Sequence, residues 1–185
     1  MNLFVLDTDP VKAAQLQCDK HVVKMIVESA QMLSTVHRMI DGVETRKPSK
    51  SGKTMSKAWT LPDGREDILY RAVHMHHPCT LWTAESNNNY NWHYVHFVAL
   101  CNEYTYRYGK VHATDTLLRE ALKSPPNNIP VGPLTKQPLA MKANPECIDY
   151  RDIVGSYRKF YQTKQDRFKM SWTKRPIPEW FSVAA

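Results

Sequence analysis

The chain has 185 residues, a formal net charge of +7 and 42% apolar residues, enough to bury about 70% of its unfolded surface around one core. No window of eighteen uncharged apolar residues occurs, which excludes a helical membrane span, and MNLFVLDTDP lacks the basic region and cleavage site of a secretory signal. Cys18, Cys79, Cys101 and Cys147 are far apart with no CxxC pair, which predicts reduced thiols in a cytoplasmic protein and neither a disulfide frame nor a zinc site.

In chain order, NLFVL at residues 2–6 predicts a short strand or a buried extended segment. Asp9 followed by Pro10 is a helix start, an N-cap side chain before proline at the first helical position. That helix is expected to reach about Gln17, with Asp19 placed to cap the next; one kinked helix through both segments fits equally. Residues 18–40, CDKHVVKMIVESAQMLSTVHRMI, form the central element. At 100° per residue, Gln17, His21, Lys24, Glu28, Gln31, Thr35 and Arg38 share an arc about 100° wide. Most of the remaining circumference carries Val22, Val23, Met25, Ile26, Val27, Ala30, Met32, Leu33, Val36 and Ile40. A surface helix has a broad polar face; this one predicts a largely buried helix with a narrow polar seam. His21, Lys24 and Glu28 share that seam, where burial and opposite charge can shift pKa values. The plainer alternative is a half-exposed helix carrying a Lys24–Glu28 pair four residues apart. Asp41-Gly42 ends it.

Residues 43–66 are polar and basic, a loop insertion with a turn at Leu61-Pro62-Asp63-Gly64 that could close a small hairpin. Residues 67–76 fit a short helix or a strand. His74, His76 and His77 form an HxHH cluster without an accompanying carboxylate, so no metal is expected. From His77-Pro78, helical spacing of Leu81, Trp82, Glu85, Asn89, Trp92, His96, Ala99 and Glu103 predicts a long helix to Gly109. Trp82, Ser86, Asn89, Tyr90 and His93 lie together on one flank. Aromatic core packing accounts for such a stripe, but rings beside amides also suit a base-reading pocket. Asn87-Asn88-Asn89 is poor helix material and needs a reason to be there.

Residues 114–123 predict a short amphipathic helix, and five prolines from Pro125 to Pro138 an extended strap. Pro145 restarts a helix with Ile153, Val154, Tyr157, Phe160 and Tyr161 on its apolar side. The tail, SWTKRPIPEWF, interleaves aromatic residues with Lys174 and Arg175. The whole predicts an all-α single domain, residues 1–185, mainly helical with at most a minor β-hairpin.

Charge is concentrated. Residues 46–57 hold Arg46, Lys47, Lys50, Lys53 and Lys57 with no acid, and residues 158–175 hold seven basic residues against Asp166. The rest of the chain is net negative, so these stretches, with Arg38, are candidate contacts for a polyanion.

Asp19-Lys20-His21, with Glu28 seven residues after the histidine, resembles the phage pyrimidine-dimer DNA glycosylases of the endonuclease V type. The segment from His77 through Leu81-Trp82 to Arg107-Tyr108-Gly109 is similar in spacing to that family's next long helix, and the basic, aromatic C-terminal segment to its ending. The resemblance implies a small basic all-α protein acting on DNA without a cofactor, in a phage-infected bacterial cell. It also implies glycosylase–lyase chemistry: the α-amine, here that of Met1, attacks C1′ of a damaged or modified pyrimidine nucleotide. Glu28 would stabilise the resulting cation or imine and move protons, with His21 in support. An α-amine has a pKa near 8, so a fraction is nucleophilic at neutral pH. Lys24 would supply charge or itself be the amine. Val27 and Gln31 stand where that family has arginines, and Met1-Asn2 where it exposes a threonine. Two other functions fit the same residues: a phage DNA base-modifying transferase with Glu28 as general base, and a non-catalytic nucleic-acid-binding accessory protein.

Overall fold

The computed structural model describes residues 1–49 and 51–183. Among them are seven α-helices: α1 Pro10–Gln15, α2 Asp19–Asp41, α3 Arg65–Ile68, α4 Pro78–Glu85, α5 Asn87–Tyr108, α6 Ala113–Leu118 and α7 Ile153–Gln162. One antiparallel hairpin, β1 Val43–Pro48 and β2 Met55–Thr60, lies between α2 and α3. The fold is therefore mainly helical, as expected, and no described helix is long and apolar enough to cross a membrane.

The central helix is α2, packed against α4 and α5. Met25, Ile26, Ala30, Met32, Leu33 and Val36 are buried in the core, because leucine, methionine and alanine lose little conformational freedom in a helix while presenting a nearly continuous apolar surface. The surround is incomplete in the first turns. Val23 is exposed and Val27 half-buried, so that part of α2 lies at an edge of the molecule. The preceding α1 is a separate helix, capped by Asp9, whose Oδ1 accepts from Val11 N–H at 2.8 Å. Asp19 does not cap α2. It is the first helical residue, and Cys18 holds the cap position without a side-chain bond. Gly42 ends α2 with φ −88°, outside the left-handed region. A Cβ there would stand 2.4 Å from the Arg38 carbonyl oxygen, so close approach is what requires glycine.

The hairpin exists, but not around residues 61–64. Its register runs from Val43 opposite Thr60 to Pro48 opposite Met55, so the last pair before the reversal is Pro48 with Met55. The Pro62-Asp63-Gly64 turn instead starts α3, where Asp63 Oδ1 accepts from Arg65 N–H at 3.0 Å. Arg38 anchors the hairpin to α2. Its guanidinium donates to the carbonyls of Tyr70, Trp59, Glu66 and Leu69 and to the Glu66 carboxylate, so all five N–H donors are used.

The predicted long helix beginning at Pro78 is two. Ser86, at φ −155° and ψ 158°, breaks it and caps α5, its Oγ accepting from Asn89 N–H. Pro145 starts only a 3-10 turn, Pro145–Cys147, and the helix proper begins at Ile153.

Both ends of the chain enter the core. Asn2, Leu3, Phe4, Val5 and Leu6 are all buried, held by bonds from Gln17 to the Leu3 carbonyl and from Arg158 Nε to the Leu6 carbonyl. At the other end Trp172 and Phe181 are buried, with Trp172 Nε1 donating to the Leu16 carbonyl at 2.9 Å.

Candidate active site

Where residues 1–4, the first turns of α2 and the segment after α7 meet, they enclose a groove of about 290 Å³ lined by Met1, His21, Lys24, Glu28, Phe160, Lys164, Arg167 and Phe168, among others. Three of the four residues singled out as catalytic come from the seam of α2, and the fourth, Met1, reaches them from the opposite wall. Glu28 is the hub. Its Oε2 lies 3.6 Å from the Met1 amino nitrogen and its Oε1 3.1 Å from Lys24 Nζ. The carboxylate is mostly buried, at 14% exposure, whereas the Lys24 side chain is 66% exposed.

Peptide chain ends are ordinarily frayed; this one is clamped. Asn2 Nδ2 donates to the Ala140 carbonyl at 2.9 Å, and Asn2 Oδ1 accepts from Phe4 N–H at 3.0 Å. Phe4 itself adopts φ 48°, a left-handed conformation that costs a non-glycine residue about 1–2 kcal/mol. The bend it makes turns residues 1–3 toward Glu28 while Phe4 stacks on His21 at 4.6 Å between ring centroids.

His21 is held by Tyr161, whose hydroxyl accepts from Cys18 N–H at 2.9 Å and shares a 2.7 Å hydrogen bond with His21 Nδ1. Burial, with the charges of Lys164, Lys24 and Lys20 nearby, lowers the His21 pKa to about 4. At neutral pH His21 is therefore uncharged.

Burial also lowers His37 to about 4, helped by Arg65. Since unfolded imidazoles take up protons near pH 6.5, folding stability should be intact above that pH and fall as the solution is acidified from 6.5 toward 4. Each ring contributes on the order of 3 kcal/mol to that loss. Urea midpoints at pH 7 and pH 4.5 measure it, and equal midpoints would contradict the burial of these two rings.

Asp19, the first residue of the motif, is not in the groove. It accepts from Arg107 Nη1 at 2.9 Å and from Ser171 and Thr173, and so ties the C-terminal segment to the start of α2.

The five residues considered as a base pocket are not a pocket. Trp82, Ser86, Asn89, Tyr90 and His93 are all buried, and their polar atoms are satisfied internally. Trp82 Nε1 and Ser86 Oγ donate to the carbonyls of Thr135 and Pro133. Asn89 bonds the Trp82 carbonyl and both the N–H and hydroxyl of Thr135. Tyr90 donates to the Leu122 carbonyl, and His93 bridges Ser29 and Thr83. The asparagine run has its reason here: Asn87 and Asn88 bond the backbone of Gly132, so these amides hold the proline strap.

The candidate polyanion contacts divide. Arg46 and Lys53 are exposed on the hairpin. Lys57 pairs with Glu44 at 2.9 Å and Lys47 with Glu66 at 2.6 Å; Lys50 lies outside the described residues. Arg38 is buried and fully bonded, which removes it from the set. Lys174 Nζ donates to the Tyr106 carbonyl, and Arg175 grips both oxygens of Glu103 at 3.0 and 2.9 Å, so both fasten the tail.

A larger groove, about 480 Å³, lies under the hairpin. Of its two carboxylates Asp67 is exposed and Glu66 is already committed. Burial works against its charge, but hydrogen bonds from Lys47, Leu61 N–H and Arg38 hold its pKa at about 2. Saturation of this kind suits a structural clamp.

No family model, curated protein or solved structure matches this chain. The groove at Glu28 is thus the candidate on its own geometry. The sequence placed Lys164 and Arg167 in a basic stretch suited to a polyanion and Phe160 on the apolar side of a helix, but gave no sign that they and Phe168 line the same groove as Glu28.

Proposed function

We propose that the chain is a DNA glycosylase with lyase capacity, acting on a damaged or modified pyrimidine through the Met1 α-amine and Glu28. The observation that carries this is the Met1 nitrogen 3.6 Å from a mostly buried carboxylate at the edge of a groove. An amine there can lose a proton to Glu28 and attack C1′ of an extruded nucleotide. The N–C1′ bond forms as the glycosidic bond breaks, and the base leaves, protonated by solvent. Glu28 then returns its proton to the ring oxygen O4′ as the C1′–O4′ bond breaks, which opens the ring to an iminium whose positive charge the restored carboxylate faces. His21 assists as an uncharged hydrogen-bonding group.

Borohydride should trap this imine as a covalent adduct between the protein and a lesion-bearing duplex, with the reduced linkage mapping to the N-terminal peptide. Base release without any trapped adduct would remove the amine from the mechanism and leave Glu28 acting on water or on a transferred group.

The exposed cations Arg46, Lys53 and Lys57, with the basic segment after α7, are the proposed DNA contacts. If about six phosphates are engaged, log K should fall with log salt at a slope of about −5. Changing Arg46, Lys53 and Lys57 to glutamine should flatten that slope by about 2–3; an unchanged slope would place the DNA elsewhere.

A further inference from the structure

The wall of the groove facing Glu28 holds a cation that the proposed chemistry does not use. Lys164 follows α7 in the 3-10 turn Thr163–Asp166. Its side chain lines the groove, yet the residue is only 9% exposed. Its Nζ sits 3.4 Å from the centroid of the Phe160 ring, which supports the ammonium from one side. Among the described residues no carboxylate pairs with it. Glu28 is engaged by Met1 and Lys24, and Asp166 is exposed.

An ammonium taken out of water without a counter-charge is unfavourable. Here burial, with Arg167 nearby, lowers the lysine pKa to about 8. The groove as a whole repeats the imbalance: the Met1 amine, Lys24, Lys164 and Arg167 line it against the single carboxylate of Glu28. A lysine kept only for packing would be cheaper as methionine, and one kept for solubility would sit in water. A site with surplus positive charge and a pre-positioned, partly desolvated donor is matched by an anion with several acceptor oxygens.

We propose that Lys164, flanked by Lys24 and Arg167, is the phosphate-binding element of this groove. The ligand class is a phosphate ester. It could come from the backbone of nucleic acid or from a free nucleotide monophosphate. In the proposed glycosylase such a contact would hold the sugar of the extruded nucleotide in front of Met1, but the binding site itself does not depend on base release.

The test uses the full chain as wild type, Lys164→Met, Lys164→Arg and, as a control on an exposed lysine outside both basic stretches, Lys123→Met. The probes are a short duplex carrying a reduced abasic analogue, thymidine 5′-monophosphate and inorganic phosphate. Lys164→Met should weaken the bound probe about tenfold or more, the scale of one charge-assisted hydrogen bond, and reduce the salt slope for the duplex by about 0.9. Lys164→Arg should stay within about threefold of wild type, because arginine serves a phosphate at least as well, and Lys123→Met should change little. In wild type, the ammonium resonance of Lys164 should titrate to higher pH when the probe is added, a readout that packing alone would not move and that needs no variant to fold. Binding of the duplex but not the monophosphate assigns the phosphate to nucleic acid; the reverse assigns it to a free nucleotide. Unchanged binding by Lys164→Met, an unmoved Lys164 titration, or a Lys164→Arg loss as large as that of Lys164→Met would overturn the proposal. Loss of borohydride trapping with phosphate binding intact would instead remove only the glycosylase chemistry.

Discussion

Glu28→Gln should leave the protein folded and cut base release by about two orders of magnitude or more, the scale of losing charge stabilisation and proton transfer at a reacting centre. Glutamine keeps the volume and hydrogen-bonding reach of the side chain and removes only its charge and basicity. The stability lost is that of two ion pairs, with the Met1 ammonium and with Lys24. Lys24 is 66% exposed and returns to water at a cost within about 1 kcal/mol. If Glu28 served only those pairs, the variant would lose their stability and keep full activity. Lys24→Arg should be nearly silent, since an exposed charge neighbour tolerates the exchange. His21→Gln should fall between, because it removes one uncharged hydrogen-bonding ring. The measurement is single-turnover base release from a panel of damaged and modified duplexes, with urea unfolding of the same samples. Undiminished turnover by Glu28→Gln would end the assignment of chemistry to α2.

Extending the chain by Gly-Ser ahead of Met1 should abolish the borohydride adduct and reduce strand cleavage by about a hundredfold or more. The extension turns the Met1 nitrogen into an amide, which has no nucleophilic lone pair. It also moves the new amine away from Glu28, whose distance to Met1 is 3.6 Å. Because Asn2 to Leu6 remain anchored by their own bonds, the fold should survive, and DNA affinity should stay within about threefold if the phosphate contacts are made by other residues. A tagged protein that still traps DNA at full yield would show that another amine, such as Lys164, is the reacting group.

What was legible in the sequence was local. The seam of His21, Lys24 and Glu28 could be read because helical periodicity is set by near neighbours, and α2 keeps it for its whole length. The Asp9-Pro10 start was legible for the same reason. Pro62-Asp63-Gly64 misplaced the hairpin because a turn signal states that the chain reverses, not which elements it joins; here it opens α3. Trp82, Asn89 and His93 looked like a base-reading surface because amides and rings have the same donors and acceptors whether they meet a nucleobase or the backbone of the proline strap. The break at Ser86 is another case. Its serine followed by asparagines is an N-cap signature inside a stretch whose apolar spacing runs on unbroken. Lys164 was out of reach, since its place beside Glu28 depends on contacts between segments more than 130 residues apart.

The burial of residues 2–6 beneath α7 and the tail sets an order on synthesis. During translation Leu6 leaves the ribosome 152 residues ahead of Arg158, which bonds it, and Phe4 is as far ahead of Phe160 and Tyr161, which cover it. Residues 2–6 therefore stay solvated while everything between them and α7 is made. Contacts this distant in sequence make the closing step slow compared with helix formation, so the exposure ends with the docking of α7 and not with the folding of α2. A ribosome stalled before residue 153 should present a helical nascent chain whose first residues are still open to protease.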